Sequence, residues 1–257
     1  MYLSVDIGGT KTLIALFSKR GRIVRRVKFK TSHSYERFRR ELTLQLESFL
    51  KYKICAVTVA VPGLVQKNCS ARLGNRAGWG EIDLLTPIKN LFDCPIYFEN
   101  DANLAALYEC SFYPGKAVFL TFSTGIGGGI VKNGEILPES AKFEPGHWFY
   151  DYDGSLLEWE DIAAASAIEK AYKVDLATNL RGKEVMRDVA ARVSLGIPEI
   201  VRRYSPRVII LGGPLGKIFR RYAKYLPDTK VKFVRPKRPL ESVVYGGFLY
   251  AKKKSEK

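Results

Sequence analysis

The residues able to do chemistry lie where hydrophobic runs give way to glycine-bearing turns. Asp6 closes one such run and leads into IGGTK (residues 7–11), where Gly8 and Gly9 let backbone N–H groups come close to an anion. STGIGGG (residues 123–129) and GGP (residues 212–214) repeat the arrangement after two later hydrophobic runs. A single Gly pair after a strand is most often a plain hairpin turn. Three of them, with Thr10 and Thr124 offering hydroxyls, point to the phosphates of a nucleotide. Asp6 would then hold Mg²⁺ through water beside those phosphates, or else merely form the turn. No G-x-x-x-x-G-K-[ST] or G-x-G-x-x-G pattern is present, so a Walker A loop and a Rossmann dinucleotide site are both disfavoured.

FENDANLAAL (residues 98–107) sets Glu99, Asn100 and Asp101 between a strand and a helix. Asp101 either caps that helix or accepts the proton of a substrate hydroxyl during phosphoryl transfer. FEPGHW (residues 143–148) puts Glu144 and His147 on one turn, and LEWEDI (residues 157–162) adds Glu158, Glu160 and Asp161. Carboxylates and an imidazole suit the recognition of vicinal hydroxyls, although a lone His is more often structural.

Around these residues the pattern is that of an α/β protein. Residues 3–5, 12–17 and 22–30 read as three antiparallel strands joined by Gly-bearing turns. Residues 35–53 carry apolar positions on one helical face, and 54–61 form a continuous buried strand stopped by Pro62 and Gly63. Residues 95–98 are a short strand leading to a helix over 101–108. A second cycle opens at 117–122, with strand, Gly-rich turn and strand again; helices are predicted over 162–172 and 185–203, a strand over 207–211, and a last helix from 243. Two such halves form two lobes with a cleft between them: 1–112 with 243–257 packing back on it, and 113–242.

Lys and Arg number 42 against 26 Asp and Glu, a net charge of +16, which favours anionic ligands. Aromatic residues are not interleaved with the basic ones, so nucleic acid is a minority reading. Cys55, Cys69, Cys94 and Cys110 form no C-x-x-C pair, and His33 and His147 are the two histidines, which argues against a zinc site. No run of apolar residues is long enough to span a membrane and the first residues do not resemble a secretory signal; a cytoplasmic protein is expected.

Taken in order, DIGGTKT (6–12), AVPGLV (60–65), GNRAGW (74–79), ENDANLAAL (99–107), TFSTGIGGGIV (121–131), EPGHW (144–148), WEDIAAASAI (159–168) and VIILGGPLG (208–216) resemble the ROK family of sugar kinases, within the actin-like (ribonuclease H-like) ATPase superfold. The resemblance implies that Asp6, Gly8, Gly9, Thr10 and Lys11 form a first phosphate loop and Thr124, Gly125, Gly127 and Gly128 a second, with Gly212 and Gly213 beside the adenosine of ATP. It makes Asp101 the catalytic base toward a hexose 6-hydroxyl, and assigns Asn75, Asn100, Asp101, Glu144, His147 and Glu160 to the sugar. Glucose is the first candidate substrate; N-acylhexosamine kinase and fructokinase are the nearest alternatives, polyphosphate is a second donor to test, and a homodimer is left open. A sugar-responsive regulator is the rival from another class, disfavoured because the chain starts directly at the first phosphate-loop strand.

Zinc-bearing relatives use the histidine as a metal ligand within a Cys-rich segment, but residues 151–160 (DYDGSLLEWE) contain no cysteine. Zinc is therefore not expected, and His147 must be oriented by hydrogen bonds or packing. Ser123 stands where the family often has glycine, and residues 169–193 are shorter than usual.

Overall fold

The computed structural model describes residues 1–63, 70, 71, 79, 82–176 and 181–256. The chain divides into two compact units, Met1–Tyr108 with Val243–Lys257, and Glu109–Ser242. In the first unit, β1 (Tyr2–Ile7), β2 (Lys11–Phe17) and β3 (Ile23–Lys30) form an antiparallel meander. Helix α1 (Tyr35–Glu47) follows, then β4 (Ala56–Val61) and β5 (Ile96–Asn100), and the sheet order is β3-β2-β1-β4-β5 with β1, β4 and β5 parallel. Every residue of β4 is buried, as its unbroken apolar run requires of an interior parallel strand. On the edge strand β3, exposed positions alternate with half-buried ones and include Lys28 and Lys30, whose charges discourage pairing with a further strand.

Both faces of this sheet are covered. Phe38, Leu42 and Leu46 of α1 pack on Leu3, Val5, Ile7 and Val59, and the last helix, Ser242–Ser255, lays Val244, Phe248 and Ala251 on Tyr2, Phe17 and Ala56. α1 ends at Glu47, short of the predicted 53, because the chain tightens into three-residue turns: Phe49, Leu50 and Tyr52 each donate to the carbonyl three residues back. Next comes α2 (Asp101–Cys110).

In the second unit, β6 (Lys116–Phe122), β7 (Ile126–Lys132) and β8 (Glu135–Ile136) repeat the meander. A small hairpin of β9 (Phe149–Tyr152) and β10 (Ser155–Glu158) precedes α3 (Trp159–Ala163), α4 (Ala165–Tyr172), α5 (Lys183–Ser194) and α6 (Ile197–Tyr204). β11 (Val208–Gly212) and β12 (Lys232–Val234) then join β6 in parallel, giving the order β8-β7-β6-β11-β12. The two sheets thus share one order and one set of strand directions.

Two predicted helices are each divided. The first breaks at Ala164, whose ψ of 154° is extended. The second breaks at Gly196, where a Cβ would lie 2.4 Å from the buried Trp159 ring, and α6 restarts with Pro198 in its first turn. Among the described residues, no helix is long and apolar enough to cross a membrane.

Within the second unit, its first residue, Glu109, is 1% exposed. Its carboxylate accepts the N–H groups of Lys237 and Arg238, at 2.6 and 2.9 Å, and the Ser242 hydroxyl, at 2.6 Å. In the last helix, Gly246 and Gly247 allow very close approach: a Cβ on Gly246 would stand 1.8 Å from the Leu104 carbonyl oxygen, while the Gly247 carbonyl accepts the Thr58 hydroxyl at 2.9 Å. Gly246→Ala gains about 1 kcal/mol of helix propensity yet must push the helix off α2. A net loss of roughly 2 kcal/mol is expected, read as a fall of several degrees in Tm by calorimetry; an unchanged Tm would mean the helix can shift without cost.

Candidate active site

The turn between β1 and β2 closes through Gly8 N–H donating to the Lys11 carbonyl at 3.1 Å. Thr31, beyond the end of β3, braces it: its hydroxyl donates to the Gly8 carbonyl at 2.9 Å, its N–H donates to the Thr10 carbonyl at 3.0 Å, and its Oγ1 lies 2.9 Å from that of Thr12. The two carbonyls are thereby tied down, and Gly9, Thr10 and Lys11 remain exposed. Thr31 was not anticipated; a threonine in a polar stretch carries no local signal of a contact over twenty residues away.

Asp6 keeps some accessible surface, but protein surrounds its carboxylate closely enough that lost hydration dominates. That, reinforced by Asp101 and only partly offset by Lys28, raises its pKa to about 7. A carboxylate short of a counter-charge beside an exposed Gly-rich turn fits a hard cation such as Mg²⁺. Asp101 lies just past β5, two residues beyond Glu99, which is in register with Ala60 and through it with Asp6.

Side chains around Asp101 form a small network. Asn100, not Asp101, caps α2 in the usual i to i+3 manner, its Oδ1 accepting Asn103 N–H at 3.0 Å while its Nδ2 donates to the Gly63 carbonyl at 3.1 Å. Glu99 Oε1 accepts from Asn100 N–H and Asn103 Nδ2, both at 3.0 Å. Asp101 Oδ1 accepts the N–H of Ala102 at 2.7 Å. The cap role considered for Asp101 thus falls to its neighbour, and Asn100 has both ends of its amide engaged. Asn75 lies outside the described residues.

In the second unit the organising group is Glu160, in the first turn of α3. Its Oε2 accepts Ile126 N–H at 3.2 Å and fills the space where a Cβ on Gly125 or Gly146 would stand, 2.5 and 2.6 Å away. One carboxylate therefore docks the Gly-rich loop, the 145–147 turn and α3 together. Ser166 completes the loop, its hydroxyl donating to the Thr124 carbonyl at 2.8 Å and its N–H to that of Ser123 at 3.2 Å. Gly127 and Gly128 belong to β7 rather than to the loop, and Gly128 is buried against Phe119 and Phe143, so packing explains it. Gly212 ends β11; Gly213, with φ of 69°, has no room for a Cβ beside the Phe122 carbonyl and so lies next to the same loop.

Glu144 has a raised pKa, first because the turn desolvates it, with His147 opposing and Glu160 adding to the shift. The His147 pKa is raised chiefly by a hydrogen bond from Nδ1 to Glu158 Oε2, 2.9 Å apart. Donor atoms of His147, Glu158 and Glu160 lie within 4.8 Å of one another. A thiolate-rich zinc site does not fit here: residues 151–160 offer no sulfur, and Nδ1 is already engaged by Glu158. The family resemblance assigns Glu160 to the sugar and gives Glu158 no role. Asp153 and Gly154, with φ of 54° and 73°, make the tight turn that brings it back to His147, and an Asp-Gly pair is a recognisable hairpin signal.

Residues 2–243 match the family model described as "ROK family". A fructokinase from Lactococcus lactis subsp. cremoris is 25% identical over 230 residues, 82% of this chain and 78% of its own. A xylose repressor from Bacillus spizizenii is 26% identical over 185 residues, covering 62% of this chain but 48% of the repressor. The crystal structure of a ROK hexokinase from Thermus thermophilus superposes with a TM-score of 0.77 at 25% identity, covering 99% of both chains. With the match running through both units and both glycine-rich hairpins, the chain belongs to the ROK family and has its actin-like fold.

Proposed function

We propose that the protein transfers the γ-phosphoryl group of Mg-ATP to the 6-hydroxyl of a hexose, glucose first, with Asp101 as general base. The observation carrying this reading is the strand register that sets Asp101, just past β5, near Asp6 at the glycine-rich β1–β2 turn, with the raised pKa of Asp6 in keeping with it. Asp101 accepts the hydroxyl proton as the oxygen attacks, and the exposed Gly9, Thr10 and Lys11 face the transferring phosphoryl group. Asp6 would hold Mg²⁺ through water, and the ion would supply positive charge against the phosphates. Thr124 and Gly125 hold the remaining phosphates, and Gly212 and Gly213 leave space for the adenosine. Glu144, His147 and Glu160 bind sugar hydroxyls, while Asn100 has one Nδ2–H left to contribute.

Catalysis in this reading comes from positioning: Asp101 is fixed at a helix start, and Glu160 is held by backbone contacts before any sugar arrives. The fructokinase relative makes fructose the first alternative substrate, N-acylhexosamines the next. The repressor relative favours one further assay, salt-sensitive DNA binding; such binding with sugar but without phosphoryl transfer would replace the kinase by a regulator. The deciding experiment is sugar-phosphate formation with Mg-ATP or polyphosphate across glucose, mannose, fructose and N-acetylhexosamines.

In that assay Asp101→Asn should lose about 10²–10⁴ of turnover while sugar affinity, by calorimetry, changes little; unchanged turnover would end the assignment. Asp6→Asn separates stability from activity. Because the folded pKa of Asp6 is raised, the native state holds a proton that the unfolded chain has released, and stability falls as pH climbs from the unfolded value of 3.8 toward about 7. The variant escapes that loss. Its ligand-free Tm should exceed the parent's by more at pH 8 than at pH 5, with Mg-dependent turnover abolished; an equal difference at both pH values would contradict the burial of this charge.

A further inference from the structure

We propose that Glu158 is a positioning residue for His147: its carboxylate accepts the Nδ1–H of the imidazole and leaves Nε2 as the nitrogen offered to a sugar hydroxyl. The inference rests on the sugar-binding reading of His147 given above. A carboxylate is an acceptor only, so a neutral imidazole lying 2.9 Å from it through Nδ1 must carry its single proton on that nitrogen. In water an unrestrained histidine favours the opposite tautomer, with the proton on Nε2. Glu158 therefore selects a minority form, in which Nε2 accepts a hydrogen bond.

The backbone holds both partners in place. His147 ends a tight turn in which its own N–H donates to the Glu144 carbonyl at 3.3 Å and that of Trp148 to Pro145 at 3.2 Å. Glu158 ends β10, in register with Phe149 of β9. The residues that follow the pair, Trp148 and Trp159, are joined directly, Trp159 N–H donating to the Trp148 carbonyl at 2.8 Å. Trp159 itself is fully buried, its indole N–H donating to the Arg192 carbonyl at 3.0 Å. The imidazole, 59% exposed, is thus held by a less exposed carboxylate on a braced hairpin. The raised pKa of His147, caused first by Glu158, is consistent with that contact.

Selecting a tautomer has a chemical purpose here. Glu144 and Glu160 offer acceptors to hydroxyl protons, and a third acceptor at Nε2 fixes the direction of one more hydroxyl. The orientation is built in before substrate arrives, so its effect falls on sugar binding rather than on the phosphoryl-transfer step.

The chain has two histidines, His33 and His147, so each imidazole is separately observable in ¹⁵N-labelled protein. Long-range ¹H–¹⁵N spectra would be recorded after EDTA treatment, at a pH above the titration of His147, with His33→Gln for assignment. The expected spectrum has a protonated Nδ1 and a bare Nε2 on His147; Glu158→Ala should revert to mainly Nε2–H, and Glu158→Gln, which keeps an acceptor, should retain Nδ1–H. A parent protein with Nε2–H, a tautomer unmoved in Glu158→Ala, or an Nδ1 signal that changes on metal removal would each overturn the proposal. In turnover, Glu158→Ala should raise the sugar KM roughly tenfold, with kcat and the ATP KM within about threefold and the loss rescued in Glu158→Gln. An unchanged sugar KM would also overturn it. Absence of turnover with every sugar in the parent protein would instead end the kinase reading and leave the tautomer measurement standing.

Discussion

The register of three parallel strands is the constraint on which the first unit depends. β1, β4 and β5 align Asp6 with Ala60 and Glu99, so the chain just past β5 emerges beside the end of β1. Ligands of open α/β sheets gather outside such carboxyl ends, where side chains from separate strands converge. A slip of one residue would turn Asp6 toward α1, among Leu3, Val5 and Ile7, and expose an apolar side chain in its place. The packing that prevents a slip is the same packing that sets the two aspartates together. Core and chemistry are therefore specified by one pattern of alternation.

The second unit reaches its order differently. There a single side chain, Glu160, occupies space that two glycines leave open, and the loop, the turn and α3 are defined by reference to it. The first unit instead keeps a costly charge: Asp6 has lost hydration and gained a like-charged neighbour that Lys28 offsets only in part. Such strain persists where function requires it and the surrounding sheet is stable enough to carry it.

Much of this could be read in the sequence because the signals were local. Gly pairs after hydrophobic runs gave the hairpins, and the continuous run at 56–61 gave a buried strand. Helix ends were less legible: at Phe49 and Leu50 the apolar spacing continued while the hydrogen bonding changed, and at Gly196 the break depends on a tryptophan distant in sequence. Within the candidate site, the carboxylates stood out by type and spacing, whereas the roles of Thr31 in bracing the β1–β2 turn, of Asn100 as a cap and of Glu158 beside the His147 imidazole come from contacts that only the folded chain creates.

The first unit is discontinuous, and this orders its assembly in time. Its sheet and α1 are encoded by the first 108 residues, but the helix covering Tyr2, Phe17 and Ala56 begins only at residue 242. At synthesis rates of about 5–20 residues per second, the whole intervening unit must leave the ribosome before that face can be closed, a delay on the order of ten seconds. During that interval an apolar sheet face stands open on the nascent chain. The second unit, encoded without interruption, can be complete before the first is sealed.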